Sequence, residues 1–195
     1  MVIRLDKYLC DMQAGTRSAV KDIIRKKKVT INGEVITRPE IKVDIDKDVV
    51  AVDNNVLGYS EYEYYMLNKP AGVVSAVSDK DFKTVVELIT DNKRKDLFPV
   101  GRLDKDTEGL LIITNDGDMA HRLLSPKHHI DKTYYVVAKG SIDNKYIDEF
   151  KNGLVVDKDF TAMPAKLEIL QYSNQDDTTF LNITIQAVTF PLIIF

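Results

Sequence analysis

The chain has no tryptophan, one cysteine and three histidines among its 195 residues. A single thiol, Cys10, excludes an intramolecular disulfide and fits a reducing, cytoplasmic setting. It reads as a small buried hydrophobe rather than a reactive thiol. His121, His128 and His129 crowd one short stretch, and with so little cysteine they do not form a set at metal-ligand spacing. Surface or capping roles suit them better. No glycine-rich phosphate loop occurs. No apolar run approaches the ~18–20 residues of a membrane-crossing helix. The N-terminus carries an early acid, Asp6, and lacks a small-residue cleavage site, so it does not read as a secretory signal. Neither a membrane, a metal nor a cofactor is therefore expected. With 44% apolar and 29% charged residues, the composition is that of a folded globular protein rather than a disordered one.

The net charge of −3 conceals an asymmetry. Residues 1–60 carry 11 Lys/Arg against 9 Asp/Glu, whereas residues 61–195 carry 16 against 21. Six of the basic residues lie between Arg17 and Lys28, where Asp22 is the one acid. A local cluster of this kind attracts phosphate whatever the overall charge; a solvated helix face is its plainer reading.

Apolar residues at helical spacing predict helices over 4–12 (Leu5, Tyr8, Leu9, Met12) and 17–27 (Val20, Ile23, Ile24). Ala14-Gly15 separates them and Thr16 supplies an N-cap. Asn32-Gly33 between β-branched runs predicts a tight hairpin. A strand over 49–52 and a turn at 53–55 follow, then a linker. The triad Asp44, Asp46, Asp48 imitates the start of a calcium loop, but the glycine and closing glutamate that the loop requires are missing. Further on, strands are expected at 62–67, 110–114, 132–139, 166–170 and 179–186, and helices at 84–90 and 118–124. Strands outnumber helices and come in mixed order, which predicts an α+β fold with a largely antiparallel sheet. No internal repeat is present.

Residues 101–117 carry the most chemical information: Gly-Arg-Leu-Asp-Lys-Asp-Thr-Glu-Gly-Leu-Leu-Ile-Ile-Thr-Asn-Asp-Gly. They set one carboxylate, Asp104, in a glycine-bounded turn just before an apolar strand. A lone Asp there would read as a turn cap. A turn, however, does not need Arg102, Thr107 and Gly109 at fixed spacing. The segment closely resembles the nucleophile motif of pseudouridine synthases, the enzymes that isomerise uridine within RNA. Asn68-Lys69-Pro70-Ala71-Gly72 resembles that family's first motif, which shapes the floor of the active site. Lys132-Thr-Tyr-Tyr-Val matches its Lys-x-Tyr motif.

The resemblance implies a reaction and a site. The glycosidic bond breaks, the base turns, and the ring is rejoined through carbon, with no redox change and no cofactor. Asp104 is implied as the catalytic carboxylate; attack on the sugar and assistance to elimination both stay open. Tyr134 is implied as the tyrosine against the target uracil, with Tyr135 on the opposite face as the better core candidate. Arg102 and Thr107 are implied to hold the extruded nucleotide. Thr107-Glu108-Gly109 and the stretch from Ala120 to Tyr134 look like the branch acting on small-subunit ribosomal RNA. A large-subunit enzyme and a non-enzymatic RNA-binding protein are the rival readings.

Residues 1–57, with two helices, a small hairpin sheet and Arg4-Leu5-Asp6-Lys7 at the start, resemble the RNA-binding domain named after ribosomal protein S-four. Carried over, Arg17, Lys21, Arg25, Lys26 and Lys27 would contact phosphates, with Arg4 and Lys7 nearby. The expected organisation is thus residues 1–57 as an RNA-gripping domain, 58–62 as linker and 63–195 as the catalytic domain, acting as a monomer on ribosomal RNA. One departure stands out. Where the family places a basic motif, roughly Glu-Gly-x-x-His-Gln-x-Lys-Arg-Met, this sequence reads Ala187-Val-Thr-Phe-Pro-Leu-Ile-Ile-Phe195. The expectation is a C-terminally incomplete catalytic domain, shortened by a frameshift near Gln186 and weakly active or inactive while still binding RNA, with Arg102 left as the nearby cation.

Overall fold

The computed structural model describes residues 1–91, 94–128, 130–155, 158 and 161–185. The expected tail at 187–195, and His129, lie outside them. The chain separates into two compact units, Met1–Ala120 and His121–Phe195. The architecture is α+β, and every strand pair is antiparallel.

The first unit begins with β1 (Val2–Arg4), α1 (Leu5–Asp11) and α2 (Arg17–Arg25). Helix α1 has no side-chain cap. Instead the Leu5 and Asp6 amides donate to the carbonyls of Ile41 and Pro39, which satisfies two orphan donors of its first turn. Helix α2 is capped as its sequence predicts, the Thr16 hydroxyl accepting from the Ala19 N–H at 3.3 Å. Strands β2 (Val29–Ile31), β3 (Glu34–Val35), β5 (Val50–Val52) and β6 (Asn55–Leu57) form one sheet in the order β3-β2-β5-β6, while β4 (Lys42–Asp44) pairs with β1. Both hairpins turn on left-handed pairs: Asn32-Gly33 (φ 51° and 84°) and Asp53-Asn54 (φ 47° and 67°). Leu5, Tyr8, Leu9, Val20, Ile24, Val29, Val43 and Val50 make the core, and Cys10 is buried with them.

Helix α2 ends in a Schellman motif. The Lys28 amide donates to the Ile23 carbonyl at 3.1 Å and the Lys27 amide to the Ile24 carbonyl at 3.0 Å. The residue held left-handed there is Lys27 (φ 61°), not the usual glycine. That conformation costs a side-chain-bearing residue about 1 kcal/mol. Lys27→Gly is therefore expected to raise stability by about 0.5–1 kcal/mol in thermal unfolding. It should also flatten the salt dependence of RNA binding by about one unit of slope if Lys27 meets a phosphate.

The rest of the first unit is a three-stranded sheet in the order β7-β9-β8, from β7 (Tyr64–Lys69), β8 (Phe98–Val100) and β9 (Gly109–Thr114). Leu111 and Ile113 of β9 pack with Val73, Val85 and Leu97, and Tyr65 and Leu67 of β7 close over them. The opposite face leaves Met66 84% and Leu110 68% exposed. The expected helix at 84–90 shrinks to a 3-10 turn, Val86–Leu88. The Thr84 hydroxyl does accept from the Glu87 amide at 3.4 Å, as at a helix start, and donates to the Glu87 carboxylate at 3.2 Å. However, Val85 is drawn fully into the core and Ile89 turns extended, which stops it after one turn.

Helix α3 (Gly117–Leu124) spans the division, and the second unit holds β10 (Lys132–Lys139), α4 (Lys145–Asn152), β11 (Lys166–Ser173) and β12 (Thr178–Ile185). Its sheet has the order β10-β12-β11, with β12 alternating perfectly between buried and half-buried positions. Leu167, Leu181, Ile183 and Ile185 form its core, and Phe150 of α4 packs against them. Tyr134, Val136 and Ala138 share that core face. Tyr135 is 63% exposed and stacks on Phe180 at 6.3 Å. The expectation that Tyr135 is the core tyrosine is thus overturned. The alternation of β10 is as expected, but its dry side is the even-numbered one.

The candidate active-site loop

The segment between Gly101 and Gly109 leaves the sheet after β8 and returns as β9. Its apex carries Asp104, and Arg102, Asp104, Lys105, Asp106 and Glu108 are exposed while Thr107 is half-buried. The Thr107 amide donates to the Asp104 backbone carbonyl at 3.1 Å, closing a turn around the acid. Among the described residues no hydrogen bond or ion pair engages the Asp104 carboxylate or the Arg102 guanidinium, and both stand open to solvent.

An exposed loop would ordinarily be mobile. This one is pinned on both sides of Asp104 by the end of β7 and the segment after it. On one side, the Ser75 hydroxyl donates to the Leu103 carbonyl at 2.7 Å and accepts from the Leu103 amide at 3.0 Å. On the other, the Lys69 ammonium is completely buried. It donates to the carbonyls of Thr107 (2.8 Å), Lys105 (2.9 Å) and Pro70 (3.1 Å). Its three protons meet three acceptors, so a charge that would be costly to bury is fully hydrogen-bonded. The Gly72 amide adds a bond to the Lys105 carbonyl at 2.9 Å, and the Ala71 amide one to Glu108 Oε1 at 3.4 Å. Burial pushes the Lys69 pKa below the usual lysine value, against the pull of Asp106, Glu108 and Asp104. Lys69 therefore also sets a positive charge beneath the loop. Motif resemblance pointed to a floor here, but the clamping by Lys69 and Ser75 is a tertiary property with no local sequence signal.

Tyr134 lies in the second unit, half-buried against that unit's own core. The basic side chains expected to meet RNA all belong to the first unit. Arg4, Lys7, Arg17, Lys21, Arg25, Lys26 and Lys27 are exposed. Arg17, Lys21 and Arg25 recur every four residues and so form one stripe along α2, away from buried Val20 and Ile24. Arg4 is already engaged by Asp6 through two bonds of 2.9 and 2.7 Å, and Arg25 lies 3.8 Å from Asp22. The Arg4 fork, helped by the Lys7 amide, outweighs burial and holds the Asp6 carboxyl below its ordinary range. Asp44, Asp46 and Asp48 bind neighbouring backbone amides and the N-terminal ammonium. Among the described residues no cluster of His, Cys, Asp and Glu could hold a metal ion.

A small α+β segment with a basic helix stripe, followed by a sheet that carries a pinned, solvent-facing aspartate, fits the motif resemblance to RNA-modifying isomerases. Comparison with known proteins agrees. Residues 63–188 match the family model described as RNA pseudouridylate synthase, and residues 3–50 match the S4 domain. The chain is 42% identical over 183 residues to an uncharacterised RNA pseudouridine synthase of Bacillus subtilis, covering 93% of this chain and 77% of that one. It is 36% identical over 174 residues to the ribosomal small subunit pseudouridine synthase A of Haemophilus influenzae (88% and 75% covered). To the ribosomal large subunit pseudouridine synthase B of Bacillus subtilis it is 35% identical over 182 residues (93% and 74% covered). A crystal structure of a pseudouridylate synthase superposes with a TM-score of 0.58 at 33% identity, covering 96% of this chain and 79% of that one. The chain belongs to the RNA pseudouridine synthase family and carries an S4-type RNA-binding domain at its N-terminus. Among the described residues no helix is long and apolar enough to cross a membrane.

Proposed function

We propose that this chain converts one uridine of small-subunit ribosomal RNA to pseudouridine, with Asp104 as the carboxylate that acts on an extruded nucleotide. The observation that carries this reading is the open Asp104 carboxylate on a loop fixed from both sides by Ser75 and Lys69. In the reaction the N1–C1′ bond breaks and a C5–C1′ bond forms; C5 loses its proton and N1 gains one. Atoms and electrons balance without an imported group. A carboxylate suits the step, being ionised at neutral pH and able to leave again. Arg102 and Thr107, either side of the acid, hold the nucleotide, and Tyr134 meets the uracil. Extruding a base costs a few kcal/mol. Phosphate contacts from Lys7, Arg17, Lys21, Arg25, Lys26 and Lys27, with Arg4 beside them, offset that cost at a distance. The working division is residues 1–57 for grip and 63–195 for chemistry.

The small-subunit assignment rests on Thr107-Glu108-Gly109 and on the run from Ala120 to Tyr134. Its test is a pseudouridine map by carbodiimide adducts and primer extension, after incubation with unmodified transcripts of both ribosomal RNAs. One new stop in the small-subunit transcript is expected. A stop confined to the large-subunit transcript would instead place this chain with the large subunit synthases.

A further inference from the structure

Arg94 is the one arginine of the described residues that is buried, at 6% exposure. Its guanidinium forks onto Asp96 through Nε at 2.9 Å and Nη2 at 2.7 Å. Its remaining nitrogen reaches back to the N-terminal segment. Nη1 lies 3.4 Å from the Asp11 carboxylate of α1, 3.3 Å from the Tyr59 hydroxyl and 3.4 Å from the Ser60 carbonyl. Tyr59 in turn donates to Asp11 at 3.0 Å and packs its ring on Tyr8, 4.9 Å away. The charge also sits 5.7 Å above the Tyr59 ring. The connecting residues are tied down at their far end too. Asn115, next to β9, accepts from the Glu63 amide and donates to the Glu61 carbonyl at 2.8 and 2.9 Å. The Arg94 amide donates to the Glu63 carboxylate at 3.1 Å. A stretch that reads as a simple linker is thus strapped along its length.

We propose that Arg94 is a positioning residue. It locks the S4-type segment onto the sheet that carries the Asp104 loop, so that where the RNA is gripped fixes which uridine is presented. This rests on the synthase reading above for its consequence, though not for its geometry. A charge pair kept only for stability would not need to join two segments that each have their own core. Arg94 joins them, and its bond to Asp96 leaves it well paired even if the cross-links to Asp11 and Tyr59 are removed.

The experiment uses the double variant Asp11→Asn/Tyr59→Phe in the full chain, which cuts the cross-links and keeps the Arg94–Asp96 fork. The first readout is backbone 15N relaxation. In the unmodified protein, residues 3–50 and 63–120 should tumble with one correlation time, and in the variant with two. The second is turnover. The variant's kcat/KM on the full ribosomal transcript should fall about tenfold or more, as misplacement of a bound substrate predicts. On a short hairpin carrying only the mapped target loop it should be unchanged, and the affinity for the full transcript should stay within about twofold. Separate tumbling in the unmodified protein overturns the proposal, as does an equal loss on both substrates. If no RNA is turned over at all, the synthase reading fails, while the relaxation data still decide the lock.

Discussion

Asp104→Asn is expected to abolish pseudouridine formation while leaving RNA binding and stability almost untouched. The carboxylate is exposed and bonded to nothing among the described residues, so its neutral isostere removes a charge but no structural contact. Exposed substitutions away from special features typically shift stability by no more than about 0.5 kcal/mol. In the role proposed above the amide cannot replace the ionised oxygen, so turnover should drop by at least ~10³-fold, about 4 kcal/mol of barrier. Single-turnover assays on the mapped transcript, with filter binding and thermal melts alongside, check all three quantities. Comparable turnover by the variant would remove Asp104 from the chemistry. Loss of binding in step with turnover would instead place it in RNA recognition.

Lys69→Met should be the single change that most loosens the Asp104 loop. It deletes a buried cation and leaves the carbonyls of Pro70, Lys105 and Thr107 without their shared donor. Leaving buried polar partners unsatisfied costs about 1–3 kcal/mol, against a total stability of about 5–15 for an ordinary domain. The folded fraction should turn over roughly 10²-fold more slowly, since the turn around Asp104 loses one of its two anchors. The pH dependence carries a definite sign. Burial lowers the folded-state pKa of Lys69. Below that value the ammonium is charged in both states and contributes no slope. From there up to the ordinary lysine value of about 10.4 the unfolded chain binds more protons, so stability rises with pH. Subtracting the Lys69→Met urea curves from those of the parent isolates this slope. A parent that gains nothing over the variant across the alkaline range would show that burial does not depress Lys69.

What could be read from the sequence was local. Thr16 as a cap and Asn32-Gly33 as a hairpin need only their neighbours, and both form as expected. Sequence alone put the β7 strand two residues early, and Lys69 sits at its last rung instead of beyond its end. Five elements were not foreseen, β1, β4, β6, β8 and α4, and three of them show separate reasons. β1 is three residues long and finds its partner β4 some forty positions later. β8 contains Pro99, which argues against a strand, yet β8 lies at the edge of its sheet, where a missing amide is tolerated. Helix α4 presents a single large apolar residue, Phe150, to its sheet, too little for a periodic signal. The site divides in the same way. The motif marked Asp104, but Ser75 and Arg94 act on partners about thirty or more positions away, and nothing in their own surroundings announces that.

The ladder between β7 and β9 ends on the pair Lys69 and Gly109, the two residues that border the clamp and the loop. The cradle of Asp104 is thus the final tooth of a zipper whose halves are about forty residues apart in the chain. A nascent or half-closed polypeptide carries the acid but not its geometry. The activity proposed for Asp104 is therefore expected only once these two distant strands have paired.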